Sequence, residues 1–181
     1  VITNNGDEIM AEKTILATGH SARDIYELFY EKGWQIEAKP FAMGVRIEHP
    51  QELINESQYH NINYSHLLPP ATYSLTFNNK DRGIYSFCMC PGGIIVPSSD
   101  RNNAMVVNGM SNSSRSGKFA NSAIVVTVNE KDAKKYASFG ALSLLKLQEK
   151  AEEMMYYKNQ ICPAQKITDF INNKVSSYLA P

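Results

Sequence analysis

Apolar residues change their spacing several times along the chain, and each change marks an element. At the N-terminus, VITNNGDEI sets Asn5-Gly6, a strong hairpin-turn dipeptide, between apolar flanks and predicts a hairpin. KTILATG then reads as a short buried strand over Ile15, Leu16 and Ala17 that stops at Gly19. Ala22, Ile25, Tyr26, Leu28 and Phe29 recur at three- and four-residue intervals, which predicts a helix with one apolar face. Ser21 is its expected N-cap, Asp24 lies in the first turn where the helix dipole favours a carboxylate, and Gly33 is the stop signal. Strand, glycine turn and helix in that order resemble the edge of a dinucleotide-binding sheet.

From Trp34 the pattern changes. KPFAMGVRIEHP predicts a strand in which Met43, Val45 and Ile47 alternate with Gly44, Arg46 and Glu48, and Pro50 opens a short helix, PQELINESQY. Residues 61–70 read as a loop closed by Pro69-Pro70. Between Ala71 and Val128 the chain is β-rich, with strands expected in ATYSLTF, GIYSFCM, GGIIVP, AMVVNGM and SAIVVTV. The intervening NNKDRG, PGG, SSDRNN and NSSRSGKFAN are made of turn-forming residues. ALSLLKLQEKAEEMMYY returns to helical spacing, its acidic residues reading as an exposed face, and CPAQKITDFINNKV restarts a helix after Pro163. No internal repeat interrupts this order. The expected class is α+β: a β-rich mixed or antiparallel sheet domain with flanking helices over 34–181, and a strand-helix piece over 1–33.

Composition narrows the function. The 181 residues suffice for one domain with a real core, or for one domain and part of another. Lysine plus arginine equals aspartate plus glutamate at 18 each, so no net charge or basic stripe draws a nucleic acid. The longest apolar runs are far shorter than the ~20 residues of a bilayer span, so no membrane partner is expected. Three cysteines are too few and odd in number for a disulfide framework, which favours a reducing cytoplasm. Beginning at VITNNGDEIM without an initiator methionine, the chain reads as a piece cut from a longer protein.

The candidate chemistry centres on SFCMCPGG. On a regular strand, Cys88 and Cys90 would share a face with Cα atoms about 6.5–7 Å apart, at the limit for a disulfide. A metal needs two further ligands, and His20, His49, His60 and His66 show no ligand spacing, so no metal site is expected. A redox pair uses CxxC more often than CxC, and small residues lining a crowded strand end is the plainest reading. Pro91-Gly92-Gly93 and Asn108-Gly109-Met110-Ser111 put bare backbone at strand ends, either as hairpin turns or as surfaces that a ligand approaches closely. Arg115 and Lys118, in a loop of hydroxyls and amides, are candidates for an anion, and Arg46 and His49 for the wall of a pocket. His20 lies beside the glycine turn, where it can bond backbone or a cofactor oxygen.

Six stretches carry a resemblance. ATGHSARD (17–24), KPFAMGVRIEHP (39–50), SFCMCPGG (86–93), VNGMS (107–111), ANSAIVV (120–126) and PAQKITDF (163–170) resemble a family of largely uncharacterised bacterial FAD-dependent dehydrogenases, relatives of the glutathione-reductase-like flavoproteins. The resemblance implies an FAD oxidoreductase that transfers hydride between a small molecule and the flavin, with NAD(P)H as a candidate reductant. Residues 1–33 would be a remnant of a discontinuous FAD domain, with the backbone of Ala17, Thr18 and Gly19 near the cofactor's dinucleotide portion. Residues 34–181 would be the inserted substrate-side domain, with Cys88, Cys90, Gly92, Gly93, Asn108 and Ser111 lining the pocket and Arg46 and Arg115 holding an anionic substrate. No acid or base is assigned.

The chain departs from the family pattern in having neither a GxGxxG phosphate loop nor the glycine-rich closing segment, so the piece alone is expected to bind no FAD tightly and to be inactive. Two other functions remain open: a non-catalytic binding or RNA-modification accessory protein on a flavoprotein fold, and a disulfide-reductase-like enzyme using Cys88 and Cys90 as a dithiol.

Overall fold

The computed structural model of the chain describes residues 1–60, 67–158, 161–177 and 179. Positions 61–66 of the expected loop, His66 among them, lie outside the described residues. The chain separates into two units, Val1–Ile36 and Glu37–Pro181.

In the first unit, the predicted hairpin forms at its minimum. Ile2 pairs with Glu8 in one antiparallel bridge, and Gly6 N–H closes the turn on Thr3 O at 3.0 Å. The buried strand expected over Ile15–Ala17 does not form. Ile15 is 91% exposed, and no strand lies beside it among the described residues to take its backbone hydrogen bonds. The helix does form, as α1 (Arg23–Glu31), but with Ala22 at the N-cap. Ser21 Oγ is 3.5 Å from His20 Nε2 and caps no helical N–H. The C-terminus closes as a Schellman turn: Gly33 N–H donates to Tyr30 O and Trp34 N–H to Phe29 O, both at 3.0 Å. The rings of Trp34 and Phe29, 4.8 Å apart, make the apolar contact that accompanies this turn.

The second unit is α+β. Strands β1 (Phe41–Pro50), β2 (Thr76–Asn79), β3 (Arg82–Ser86) and β6 (Phe119–Val128) form an antiparallel sheet in the order β1-β6-β3-β2. Among the described residues, strands β4 (Gly93–Pro97) and β5 (Val107–Ser111) pair only with each other. Helix α2 (Gln51–Tyr59) follows Pro50 as its sequence predicts, and α3 (Ser143–Met154) and the short α4 (Ile167–Ile171) come last. Lys134–Leu142 adds 3-10 turns that apolar spacing did not signal. Among the described residues no helix is long and apolar enough to cross a membrane.

Pairing along β1 and β6 is continuous, from Phe41 opposite Val128 to Pro50 opposite Phe119. One face of this ribbon carries Phe41, Met43, Val126 and Val128, and these pack with Ala133, Leu144 and Leu147 in the core. The expected alternation of β1 is incomplete: Val45, midway along this face, is 52% exposed because no described residue covers it, and Arg46 on the other face is half-buried. The acidic face expected for α3 is also corrected. Glu152 is buried and Arg101, from the SSDRNN turn, pairs with it at 3.2 Å and with Glu153 at 3.4 Å.

Candidate functional site

The cysteine stretch departs from its predicted strand. Ser86 lies opposite Ile124 and Cys90 opposite Asn121, so four steps along one chain are matched by three along the other. The extra residue is a β-bulge, which turns side chains out of simple alternation. Strand β3 accordingly ends at Ser86; Met89 is buried, Cys90 half-buried and Cys88 exposed, and both thiols are free. The regular same-face pair of cysteines is not formed.

Beyond the bulge, Cys90 and Asn121 are directly opposed and share a sheet face. Arg46 joins them from β1, where its own partner is Ala123, two residues from Asn121 on the same face. Arg46 Nη1 donates to Asn121 Oδ1 at 2.7 Å and Nη2 donates to Asn108 Oδ1 at 3.2 Å. Gly109 lies against this knot. A Cβ there would be 2.2 Å from Asn121 Oδ1, 2.3 Å from Arg46 Nη1 and 2.7 Å from Cys90 Sγ, so only glycine lets the β4–β5 backbone rest on the three groups. Because all three atoms lie within 2.7 Å of that one point, the Arg46 guanidinium and the Cys90 sulfur are within about 5 Å of each other. Gly109 is inside β5, not at the strand end its sequence suggested.

Among the described residues, two buried polar atoms of this knot have no partner, Arg46 Nε and Asn121 Nδ2, and neither has Ser111 Oγ, which lies two residues along β5 against Gly93. Asn121 is 0% exposed, and Ser111 shares the Gly109 face of β5. Among the described residues no carboxylate pairs with Arg46. Buried polar groups are almost always satisfied, by protein, by ordered water or by a ligand, so this cluster of donors is a candidate binding surface for an acceptor.

The Pro91-Gly92-Gly93 turn is pinned from two sides. Gly92 has φ +54° and a Cβ on it would stand 2.0 Å from Arg115 O, so the turn depends on glycine. Gln51, at the start of α2, accepts from Gly92 N–H at 3.0 Å and donates to Ala71 O and Asn55 Oδ1, both at 2.9 Å. Gly93 opens β4 opposite Ser111. Arg115 and Lys118 are exposed; what Arg115 brings to the turn is its backbone.

The opposite sheet face carries a second polar group. His49 Nε2 and Tyr73 Oη are hydrogen-bonded at 2.9 Å, and Ser122, whose hydroxyl donates to Phe87 O at 2.8 Å, lies on the His49 face. Burial pushes the Tyr73 phenol above its ordinary 10.0, against the smaller opposing pulls of Ser122 and the Arg46 charge. Among the described residues no cluster of His, Cys, Asp or Glu is placed to hold a metal ion.

Ala17, Thr18 and Gly19 belong to the first unit, where with Leu16, Ile25 and Phe29 they line a depression of about 200 Å³. Among the described residues no hydrogen bond involves the backbone of these three. The structure thus brings together Arg46, Cys90, Asn108 and Ser111, ties Gly92 and Gly93 to that hairpin, and leaves Cys88 and the side chain of Arg115 exposed. Asn121, Tyr73 and Gln51 were not singled out from sequence. Asn121-Ser122 inside the apolar word ANSAIVV, two polar residues in a strand that reads as buried, was the available signal.

Two comparisons bear on this arrangement. Residues 40–181 match the family described as FAD-dependent protein, C-terminal domain-like. An uncharacterised protein of Clostridium beijerinckii is 43% identical over 98% of this chain, and the chain spans only 34% of that relative's length.

Proposed function

The chain belongs to the FAD-dependent protein, C-terminal domain-like family, and from that premise we propose that it forms the substrate side of an FAD-dependent oxidoreductase. The reaction is hydride transfer between a small anionic molecule and the cofactor. The observation that carries this reading is the half-buried Arg46, held by two amide oxygens, surrounded by orphaned donors and paired with no carboxylate among the described residues.

The residues present fit a flavin and its substrate. Ala17, Thr18 and Gly19 would hold the dinucleotide portion, since their exposed backbone groups are not used within the chain. Bound flavin supplies a two-electron acceptor. Arg46, with Asn108 and Asn121 fixing its guanidinium, would orient the anionic substrate; Ser111 would donate to it; and Gly92, Gly93 and Gly109 let backbone close over it and exclude water. Cys90 leaves room at the wall of this pocket. Its neighbour Cys88 is exposed within the bulged stretch, which supports a packing role over a dithiol.

The test is spectral. The full-length protein should purify with flavin absorbance that bleaches on anaerobic addition of NAD(P)H or of the substrate. Unchanged bleaching in the Cys88→Ser, Cys90→Ser double variant fits the packing role. A full-length protein that never acquires flavin on reconstitution refutes the proposal.

A further inference from the structure

We propose that the knot beneath Gly109 is a carboxylate-binding site and that the β4–β5 hairpin is the flap over it. The inference rests on the reading above that this pocket receives an anionic substrate, and it names the group that the anion presents.

The charge comes first. Arg46 is half-buried and its two Nη groups are occupied by the neutral amide oxygens of Asn121 and Asn108. A guanidinium withdrawn from water needs a counter-charge, and no described residue provides one. Glu48, two residues along the same face of β1, is exposed and makes no ion pair with it.

The orphans then define the shape. Arg46 Nε and Asn121 Nδ2 are donors only, and the Ser111 hydroxyl is able to donate, so the missing partner is an acceptor. Two such donors, on side chains already joined to each other, suit the two oxygens of one planar group. Among the described residues no second cation joins Arg46 in the hydrogen-bonded cluster, and Arg115 and Lys118, which lie between Ser111 and Asn121 in the chain, are exposed. One positive charge facing two or three donors matches a carboxylate monoanion better than a phosphate dianion, which draws on several cations.

Access fixes the role of the hairpin. With Gly109 in place, the orphaned atoms have no contact with solvent. Among the described residues, strands β4 and β5 pair only with each other, so the hairpin can lift without breaking any rung of the four-stranded sheet. Gly92, held by Gln51 and by the Arg115 backbone, is the fixed base beyond which the hairpin would lift, with the Arg46–Asn108 bond the contact it must release.

The experiment uses full-length protein labelled with ¹⁵N-arginine and titrated at constant ionic strength with sodium acetate, with the neutral isostere acetamide, and with inorganic phosphate. Acetate should shift the Arg46 Nε–H resonance saturably in roughly the millimolar range, with acetamide without effect and phosphate at least about tenfold weaker. Arg46→Lys should remove the acetate-sensitive signal and identify it. Ser111→Ala, which leaves both Arg46–amide bonds intact, should weaken acetate by a few-fold, on the order of one lost hydrogen bond. An unmoved resonance, an equal response to acetamide, or tighter phosphate binding each overturns the inference. A flavin-bearing protein that ignores acetate refutes the carboxylate site and leaves the oxidoreductase reading standing; a flavin-free protein that binds acetate does the reverse.

Discussion

Gly109→Ala tests whether the knot is as tightly closed as its distances say. The new methyl would stand 2.2 Å from Asn121 Oδ1 and 2.3 Å from Arg46 Nη1, about 1 Å inside normal contact with each. Neither atom can simply swing aside, because they bond each other at 2.7 Å and Asn121 is fully buried. Overpacking of this kind costs about 1–3 kcal/mol. Breaking the Arg46–Asn121 bond and leaving a buried amide oxygen unpaired costs about 1–3 kcal/mol more. Replacing a strand glycine returns roughly 0.5–1 kcal/mol of backbone entropy. The net expectation is a loss of about 3 kcal/mol, or a Tm roughly 10 °C lower for a unit of this size. Gly83→Ala is the matched control. It is also a strand glycine, but the nearest atom to its Cβ is Thr127 Oγ1 at 3.7 Å, an ordinary contact, so it should be neutral or slightly stabilising. Urea unfolding of both variants with unchanged m-values measures the difference. The rate at which Cys90 reacts with a thiol reagent in a Cys88→Ser background should rise as the hairpin is pushed outward. A Gly109→Ala protein as stable as Gly83→Ala, with Cys90 no more reactive, refutes the closed knot.

Two other perturbations probe the same unit. Arg101→Met keeps the aliphatic stem but strips Glu152, only 8% exposed, of the cation 3.2 Å away; urea unfolding should show a loss of about 2–3 kcal/mol, more than half of it recovered on adding Glu152→Gln. Tyr73 titrates high because burial disfavours the phenolate, so its folded-state value lies above the unfolded one. The stabilisation it gives is complete below about pH 10 and is lost as the pH rises through the folded value; the ultraviolet tyrosinate difference between wild type and Tyr73→Phe should therefore have its midpoint above about 10, and a midpoint at or below it refutes the burial argument.

What the sequence made legible follows from how local each signal is. KPFAMGVRIEHP and SAIVVTV read as strands because alternating or β-branched apolar residues suit a pleated sheet wherever it lies, and both form β1 and β6. The stop at Gly33 was legible because a Schellman turn is closed by residues within six positions of one another. KTILATG failed for the converse reason: a strand is defined by its neighbours, and apolar content without a pairing strand leaves Ile15 in solvent. The acidic face of α3 misled because Arg101, roughly fifty residues earlier in the chain, reaches Glu152, and no periodicity records so distant a partner. Asn121 was missed on the same account. Its importance comes from Arg46, Gly109 and Cys90, contacts from three separate segments that meet only in space.

The bulge between Ser86 and Cys90 explains why the CxC spacing was the least informative part of its own stretch. Spacing assigns side chains to faces only while the ladder keeps its register, and here one inserted residue changes the register between Ser86 and Cys90. Cys88 is left exposed and Cys90 is carried to the Arg46 face, so the same two thiols that alternation would pair are given different surroundings. The glycines after them have the opposite character. Gly92 meets the backbone of Arg115, Gly93 opens the hairpin opposite Ser111, and both positions are fixed by contacts that any Cβ would break. SFCMCPGG is therefore better read from its glycines than from its thiols: the bulge aims one sulfur at the knot, and the bare turn lets the β4–β5 backbone lie over it. An alanine at Gly92 would disturb that closure more than a serine at Cys88, since the first collides with main chain at 2.0 Å and the second replaces an exposed side chain.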